Sequence, residues 1–334
     1  MDYINYVKQY PMMGMIGYGG GATSLGRFSG SAEATTFRGD RALVALSAVG
    51  STKYSRIDYY NLASTGNASV FGDVTVARSY GGSVAGGGGS TASRGVFGAG
   101  SGASGGTNIL DYVTIGSTGN ATDFGDLNYA SGSGESCSNG IRGIFAHGYG
   151  NPSGYAAAGK IDYITISTTG NAGVFGDMRS SPAYWYSGSA CASDQGRGVF
   201  GGGSPGGAQQ IYYIQISTEA NATAAGSLLY HERLGTSSAS DGTRGTWWGN
   251  NDNGAIDYLT LDSLGNASDF GDMFVAVQYQ GGSANDTRGT ANGGDNDDGY
   301  KNTIQYVTIQ TTGNAQDFGD LTAPRRYSQG HSGT

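Results

Sequence analysis

The sequence predicts an all-β protein, a β-propeller of six four-stranded blades with a short N-terminal arm. Three observations predict it: a block that recurs six times, short apolar strands between glycine-rich turns, and aromatic residues that keep the same position in every copy. A repeat of about 50 residues is one supersecondary unit that needs neighbours to bury its faces. Four short strands in each of six such units are typical of a propeller.

The repeated block starts at a Tyr, which is followed eight residues later by Asn and four residues after that by Phe-Gly. The Tyr residues are 59, 112, 163, 213, 258 and 306, and the Asn residues are 67, 120, 171, 221, 266 and 314. Successive Asn positions lie 53, 51, 50, 45 and 48 residues apart. The fourth copy has Ala225 instead of Phe. An Arg precedes each block, at 41, 94, 142, 197, 244 and 288.

The second copy shows how one blade is built. Arg94–Gly100 is a short apolar strand that ends in glycines, which permit tight turns. Residues 109–115 alternate apolar and polar side chains, as a strand with one buried face does. Residues 117–121 form a Thr-Gly-Asn turn and 122–127 a third strand. A weaker fourth strand is predicted in the Ser/Gly/Ala-rich zone before the next Arg.

The ends of the chain are predicted to be an arm and a closing strand. Residues 1–27 do not match the repeat and form the predicted N-terminal arm, residues 28–326 the propeller, and residues 327–334 a C-terminal closure strand. Propellers often close by letting one terminus complete a blade that the other began. Six blades are expected. The alternative is that the two ends of the chain together form a partial seventh blade.

Composition excludes several classes of protein. Aromatic residues make up 11% and fall at fixed positions, which a disordered chain would not maintain. The formal charge of −8 argues against a nucleic-acid partner. No apolar stretch is long enough for a spanning helix, and no secretory signal is visible, so membrane insertion and secretion are not expected. Cys137 and Cys191 are interpreted as small buried side chains.

Catalytic motifs are not found in the sequence. His147, His231 and His331 are scattered without metal-ligand spacing. Neither a nucleophile elbow nor a phosphate-binding loop is present. The sequence therefore predicts a protein that is not an enzyme and carries no cofactor.

The repeat resembles the kelch repeat, in a divergent form with Phe where kelch blades usually carry Trp. The residues that carry the resemblance are Phe97-Gly98-Ala99-Gly100, Tyr112, Thr118-Gly119-Asn120, Phe124 and a blade-ending Arg, such as Arg78 or Arg326. A copper oxidase on such a scaffold would need a Tyr/His ligand set that the three scattered His residues do not supply.

The sequence segments STGNATDFGDL and RGVFGGG are similar to propeller repeats in structural proteins of tailed bacteriophages. This resemblance implies a virion component, on a tail fibre or elsewhere on the virion surface, that is present in multiple copies and becomes extracellular after lysis. Its expected partners are other virion proteins and a host cell-surface polysaccharide. The alternative is a cellular kelch-type adaptor or lectin.

Residues present in every copy are interpreted as structural, with aromatics between blades, Arg tying adjacent sheets and Asn in turns. Length variation locates the expected binding face. With the strands of a blade called a to d in chain order, the b–c and d–a loops share one face, and the c–d turn is invariant on the other. From the Arg of strand b to the Tyr of strand c the distances are 18, 18, 21, 16, 14 and 18 residues. The b–c face is therefore the predicted recognition face.

A glycan site is predicted on that face from residues that only single blades carry. Aromatic rings beside carboxylates and amides suit a sugar, whose CH groups stack and whose hydroxyls hydrogen-bond. The candidate residues are Trp185, Tyr186, Trp248, Asn250, Asp252, Asp295, Asp297 and Tyr300, while Trp247 is assigned to the core. Asp295, Asp297 and Asp298 are a candidate Ca²⁺ site, with a solvated acidic loop as the alternative.

Overall fold

A computed structural model describes residues 38–87, 93–148, 157–178, 189–203, 209–229, 236–249 and 254–333. These residues form six four-stranded antiparallel blades, which confirms the predicted all-β propeller. The blades are numbered I to VI, and their strands a to d run from the propeller axis outward. The arm predicted over residues 1–27 lies outside the described residues.

The innermost strands surround the propeller axis. In blades I to VI they are β29 (Gln329–Gly333), β6 (Gly82–Gly86), β11 (Gly134–Ser138), β15 (Ser189–Ser193), β19 (Ser237–Ser240) and β23 (Gly281–Ala284). Each contacts the innermost strands of both neighbouring blades, so the ring closes. Small residues dominate these strands because six backbones must converge on one axis.

The strands outside them follow the repeat. The b strands are β1 (Arg41–Ala45), β7 (Arg94–Gly98), β12 (Arg142–His147), β16 (Arg197–Gly202), β20 (Arg244–Trp248) and β24 (Arg288–Asn292). The c strands are β4 (Arg56–Asn61), β9 (Gly105–Thr114), β13 (Lys160–Thr165), β17 (Gln210–Gln215), β21 (Ala255–Thr260) and β27 (Thr303–Thr308). The d strands are β5 (Ser69–Asp73), β10 (Thr122–Ser131), β14 (Gly173–Asp177), β18 (Thr223–Ser227), β22 (Ser268–Asp272) and β28 (Gln316–Asp320).

Three b–c loops contain short strands of their own. Blade I has the hairpin β2 (Ala48–Val49) and β3 (Thr52–Lys53), and blade VI has the hairpin β25 (Asp295–Asn296) and β26 (Gly299–Tyr300). In blade II, β8 (Ser101–Gly102) pairs with the start of β9. These loops lie on the predicted variable face.

The C-terminal strand completes blade I. Strand β29 pairs antiparallel with β1, from Arg41 opposite Gly333 to Ala45 opposite Gln329. Strand β29 is therefore the innermost strand of blade I. This pairing of β29 with β1 closes the ring of six blades.

The hydrophobic core is divided into layers between adjacent blades. Each of six clusters combines side chains of two neighbours, and five of them contain a repeated Phe: Phe71, Phe124, Phe175, Phe270 and Phe318. These rings meet the repeated Tyr of the same blade edge-on, with centroids 5.7–6.3 Å apart. Both faces of every blade are therefore covered by protein.

The repeated Arg joins its blade to the next one. Arg94 packs over the ring of Tyr112, 4.4 Å from its centroid, and donates a hydrogen bond to the carbonyl of Ile166 in blade III at 3.0 Å. Arg41, Arg142, Arg244 and Arg288 make the equivalent pair of contacts. In the fourth copy Arg197 instead pairs with Asp194 and Asp262.

The repeated Asn joins blades in the opposite direction. Its side-chain oxygen accepts a hydrogen bond from a backbone N–H at the end of strand d in the preceding blade, at 2.9–3.2 Å in all six copies. The glycine after Phe permits this approach: a Cβ on Gly125, at φ +141°, would lie 2.4 Å from the carbonyl oxygen of Gly170. The repeated Asn is therefore used in an inter-blade contact.

Candidate functional site

Three tyrosines occupy equivalent positions where the d–a connection enters the innermost strand. Tyr80, Tyr279 and Tyr327 each lie two residues before the first residue of an innermost strand. All three have left-handed backbones, with φ of 67°, 58° and 61°. Such a conformation is costly for a large side chain, so surrounding contacts must maintain it.

Backbone hydrogen bonds hold these residues around the axis. The Tyr327 N–H donates to the Tyr279 carbonyl at 2.7 Å, and the Tyr80 N–H donates to the Tyr327 carbonyl at 2.9 Å. The Gly134 N–H then donates to the Tyr80 carbonyl at 3.2 Å. This chain of bonds links the d–a connections that lead into blades VI, I, II and III. It explains why the tyrosines depart from extended backbone.

The three side chains form one aromatic group, called here the tyrosine cluster (Tyr80, Tyr279 and Tyr327). The ring of Tyr327 lies 4.7 Å from that of Tyr279 and 4.8 Å from that of Tyr80, between centroids, and the outer two are 5.9 Å apart. The planes are tilted or edge-on, as aromatic quadrupoles favour. All three rings are half-buried, so each keeps part of its surface exposed.

A cavity of ≈ 390 Å³ lies beside the tyrosine cluster. Its other walls come from b–c and d–a loops of blades I, II and III: Ala48, Gly50, Ser51, Lys53, Ser79, Ser101, Gly105, Gly106, Gly132 and Ser133. The cavity confirms that these two sets of loops share one face. Among the described residues that line it, Lys53 is positively charged, and the others present aromatic rings, hydroxyl groups or backbone atoms to the cavity.

Arg326 supports the tyrosine cluster from the side of blade VI. Its guanidinium lies 4.4 Å from the ring centroid of Tyr327 and donates to Asp295 Oδ2 at 2.7 Å. It is also 5.4 Å from the ring centroid of Tyr300, whose hydroxyl accepts a hydrogen bond from the Gly50 N–H at 2.9 Å. Two hairpins, one from blade VI and one from blade I, are joined in this way at the edge of the cavity.

Burial changes the acidity of two cluster members. Loss of hydration raises the pKa of Tyr279 and of Tyr327, and the nearby Asp295 carboxylate adds to both shifts while Arg326 opposes them. Both phenols are therefore neutral at neutral pH. A neutral phenol can both donate and accept a hydrogen bond, as a hydroxylated ligand requires.

The structure brings only part of the sequence-predicted site together. Tyr300 and Asp295 lie beside the tyrosine cluster, as just described. Asp297 is exposed at the tip of the blade VI hairpin and does not line the cavity. Trp185, Tyr186, Asn250 and Asp252 lie outside the described residues.

Trp248 is a correction. Its side chain is fully buried in the layer between blades V and VI, and its Nε1 donates to Thr246 Oγ1 at 2.7 Å. Trp247, on the opposite face of the same strand, is buried between blades IV and V, as predicted. Because adjacent residues of a strand point to opposite faces, and both faces of a blade are covered, neither indole can stack on a ligand.

The candidate Ca²⁺ site is also corrected. Asp295 is buried and ion-paired with Arg326, whereas Asp297 and Asp298 point to solvent. Within the described ranges, no group of three or more His, Cys, Asp or Glu side chains could hold a metal ion. An exposed acidic loop, the alternative interpretation, matches this arrangement.

The blade-ending arginine needs one further correction. Arg78 is buried and ion-paired at 2.5 Å with Asp111 on strand c of blade II. Its counterpart in blade I is Arg325, which pairs with Asp58 at 2.6 Å, and not Arg326. Both buried arginines lie two residues before a cluster tyrosine. The recurring pattern Arg-x-Tyr, in Arg78–Tyr80 and Arg325–Tyr327, is the signal from which the tyrosine cluster could have been found.

Comparison with protein-family models and with curated proteins finds no significant match. The part of the chain that the structure describes contains no helix long and apolar enough to cross a membrane.

Proposed function

We propose that this chain is a non-enzymatic component of a phage virion, displayed on a tail fibre or another virion surface, and that it binds a host cell-surface glycan. The binding site is the cavity beside the tyrosine cluster. The observation that carries the proposal is the meeting of three half-buried tyrosine rings with a ≈ 390 Å³ cavity on the loop-bearing face.

The chemistry of the cavity matches a sugar. Ring faces of Tyr80, Tyr279 and Tyr327 provide surfaces on which the CH groups of a pyranose stack. Serine hydroxyls at 51, 79, 101 and 133 and the glycine backbone provide donors and acceptors for its hydroxyl groups. A cavity of this volume accommodates one or two sugar rings and falls within the usual range for ligand sites.

The charge of the cavity favours an acidic glycan. Lys53 lines it and makes no ion pair with another described residue, whereas Arg326 already pairs with Asp295. The whole chain has a formal charge of −8, so a cation at this position is a local feature and not a result of composition. A carboxylate on the sugar would pair with Lys53.

The virion assignment rests on the similarity of the repeat to phage structural propellers. The repeated residues of the six-bladed ring serve contacts between blades. Recognition of a ligand is therefore expected from the loops. Loops on a rigid scaffold are where binding residues concentrate. A display role needs no catalytic group, which agrees with the scattered histidines.

The test measures binding of the purified chain to a panel of bacterial surface polysaccharides and to whole cells. Selective binding is expected, with acidic polysaccharides preferred and with a loss of affinity as salt rises. The absence of binding across the panel would reject the glycan and would favour docking of this face onto another virion protein.

The variants Tyr279→Asn and Tyr327→Asn locate the site. Asn tolerates a left-handed backbone, so the substitution removes the ring without adding strain. A loss of affinity of about tenfold or more, equal to about 1.4 kcal/mol, is expected for each. Phe274→Ala is the matched control, because this ring is exposed and lies outside the cavity. Unchanged affinity in both Tyr variants would overturn the assignment of the cavity.

A further inference from the structure

A second, smaller cavity of ≈ 60 Å³ lies on the propeller axis. Every innermost strand contributes to its wall, with Ser83, Glu135, Ala190, Ser237, Gly282 and Gln329 representing the six blades and Gln280 adding an amide. The cavity is large enough for a water molecule or a small ion and its first ligands. It adjoins a further cavity on the axis, which Arg38 lines, and the two share Ser83, Cys191 and Ser238 in their walls.

Several buried oxygen atoms at this cavity have no hydrogen-bond partner among the residues that the structure describes. They are Gln280 Oε1, Ser83 Oγ and Ser237 Oγ, on side chains that are 2%, 6% and 4% exposed. The amide of Gln280 is oriented by its own Nε2, which donates to the carbonyl of Trp248 at 2.9 Å. Leaving such groups unsatisfied costs free energy, so an occupant that they can ligate is expected.

A single carboxyl group faces the same space. Glu135 is 8% exposed, and its side chain lies in the wall of the cavity. The other titratable groups on the innermost strands are Cys137, Cys191 and His331, and burial lowers the pKa of His331 to about 3, so it is neutral. No Lys or Arg is among the described residues that line the cavity. Within those residues, Glu135 has no cationic side chain to balance its charge.

We propose that the axial cavity is a binding site for a monovalent alkali-metal cation, ligated by Glu135, Gln280 Oε1, Ser83 Oγ and Ser237 Oγ. Carboxylate, amide and hydroxyl oxygens are hard ligands that suit such an ion. One carboxylate balances one positive charge, whereas a divalent ion would leave a net charge in the protein interior. The site does not depend on the proposed glycan function.

The first test compares thermal unfolding of the wild-type chain in sodium, potassium and tetramethylammonium chloride at equal ionic strength. An ion that binds only the folded state stabilises it by mass action, so at ten times its Kd the unfolding constant falls about tenfold. We expect the Tm to be a few degrees higher in the preferred alkali salt than in tetramethylammonium chloride. Equal Tm values in the three salts would overturn the proposal and leave water as the occupant.

Glu135→Gln assigns the effect to the axial site. The amide keeps the size of the side chain and removes its charge, so the difference in Tm between the salts should disappear. Glu219→Gln is the matched control, because this carboxylate lies on the surface in an ion pair with Arg142. It should retain the full difference. If Glu135→Gln also retained it, the ion would bind elsewhere and the proposal would fail.

A crystal soaked in rubidium or thallium chloride gives a direct measurement that needs no variant. An anomalous peak on the axis, within ligand distance of Glu135, is the expected result. A strong peak elsewhere with none on the axis would contradict the proposal.

Discussion

The side-chain oxygen of Asn67 accepts a hydrogen bond from the backbone N–H of Asp320 at 3.0 Å. The two residues lie 253 positions apart in the chain, and the bond joins blade I to blade VI. The same bond occurs at the other five blade junctions. At the closure it works together with the pairing of β29 and β1.

Asn67→Ala is expected to lower the free energy of unfolding by about 1 kcal/mol, the usual net contribution of one hydrogen bond. Asn67→Asp keeps an acceptor oxygen and should retain most of the stability. Urea denaturation followed by tryptophan fluorescence measures both. The control is Asn61→Ala, because the Asn61 side chain accepts a hydrogen bond from the Ala63 N–H in its own turn. An equal loss in the control would show that the closure bond has no special role.

The buried pair of Arg78 and Asp111 is expected to be far more sensitive to single substitutions. Both side chains have no exposed surface, so Arg78→Leu leaves an unpaired carboxylate in the interior and should cost about 3–5 kcal/mol. The double variant Arg78→Leu/Asp111→Leu should recover a large part of that loss. A double-mutant cycle by chemical denaturation measures the coupling.

Lys160→Leu is the matched control for this cycle. Lys160 pairs with Asp177 at 2.7 Å, but both side chains are more than a third exposed, and such pairs contribute about 0–1 kcal/mol. If the single substitutions at Arg78 and Lys160 cost the same, burial would not be the cause.

Trp248→Ala is expected to destabilise the propeller by about 3–5 kcal/mol, because it removes a fully buried indole from the layer between blades V and VI. Trp248→Phe should cost less, since it fills most of the volume. Calorimetry measures the loss, and glycan binding of the folded fraction should be unchanged. An unaltered Tm together with abolished glycan binding would show that Trp248 belongs to the binding site and not to the core.

His331 is expected to make the fold sensitive to acid. It packs against Phe97 with ring centroids 4.9 Å apart, and burial lowers its pKa to about 3 from an ordinary value of 6.5. Between these values the unfolded state binds a proton that the folded state does not. The stability is therefore intact above about pH 6.5 and is lost as the pH falls toward 3.

His331→Leu should remove this contribution. Within the described part of the chain, neither ring nitrogen of His331 has a hydrogen-bond partner, so an apolar side chain of similar volume should also stabilise the protein at neutral pH, by about 1–2 kcal/mol. The measurement is the free energy of unfolding at about pH 7 and about pH 4 for both proteins. If the wild type and the variant lost the same stability between these values, His331 would not be the acid-sensitive group.

The fold and the roles of the repeated residues could be predicted from the sequence because the copies have the same types of residue at the same spacing. A fixed distance from Tyr to Asn to Phe predicts the same strands and the same turn six times. A residue that recurs in the blades is expected to serve a contact that recurs at the blade junctions. Arg94 and Asn120 illustrate this, since each contacts the backbone of a neighbouring blade.

The candidate site could be predicted only in part, because it is built from residues that differ between blades. Alternation along β20 turns Trp248 into a layer that blade VI covers, which no property of the residue itself reveals. Arg325 and Arg326 are adjacent in sequence, yet one pairs inside blade I with Asp58 and the other pairs with Asp295 of blade VI.

The sequence by itself therefore determined the propeller, its six blades and the face that carries the variable loops, because periodicity and loop length are local properties of the chain. Only the tertiary structure decided that Tyr80, Tyr279 and Tyr327 meet around one cavity and that Glu135 faces the axis. Closure of the ring brings blades VI, I and II together, and the convergence of six innermost strands places residues far apart in sequence within one small volume.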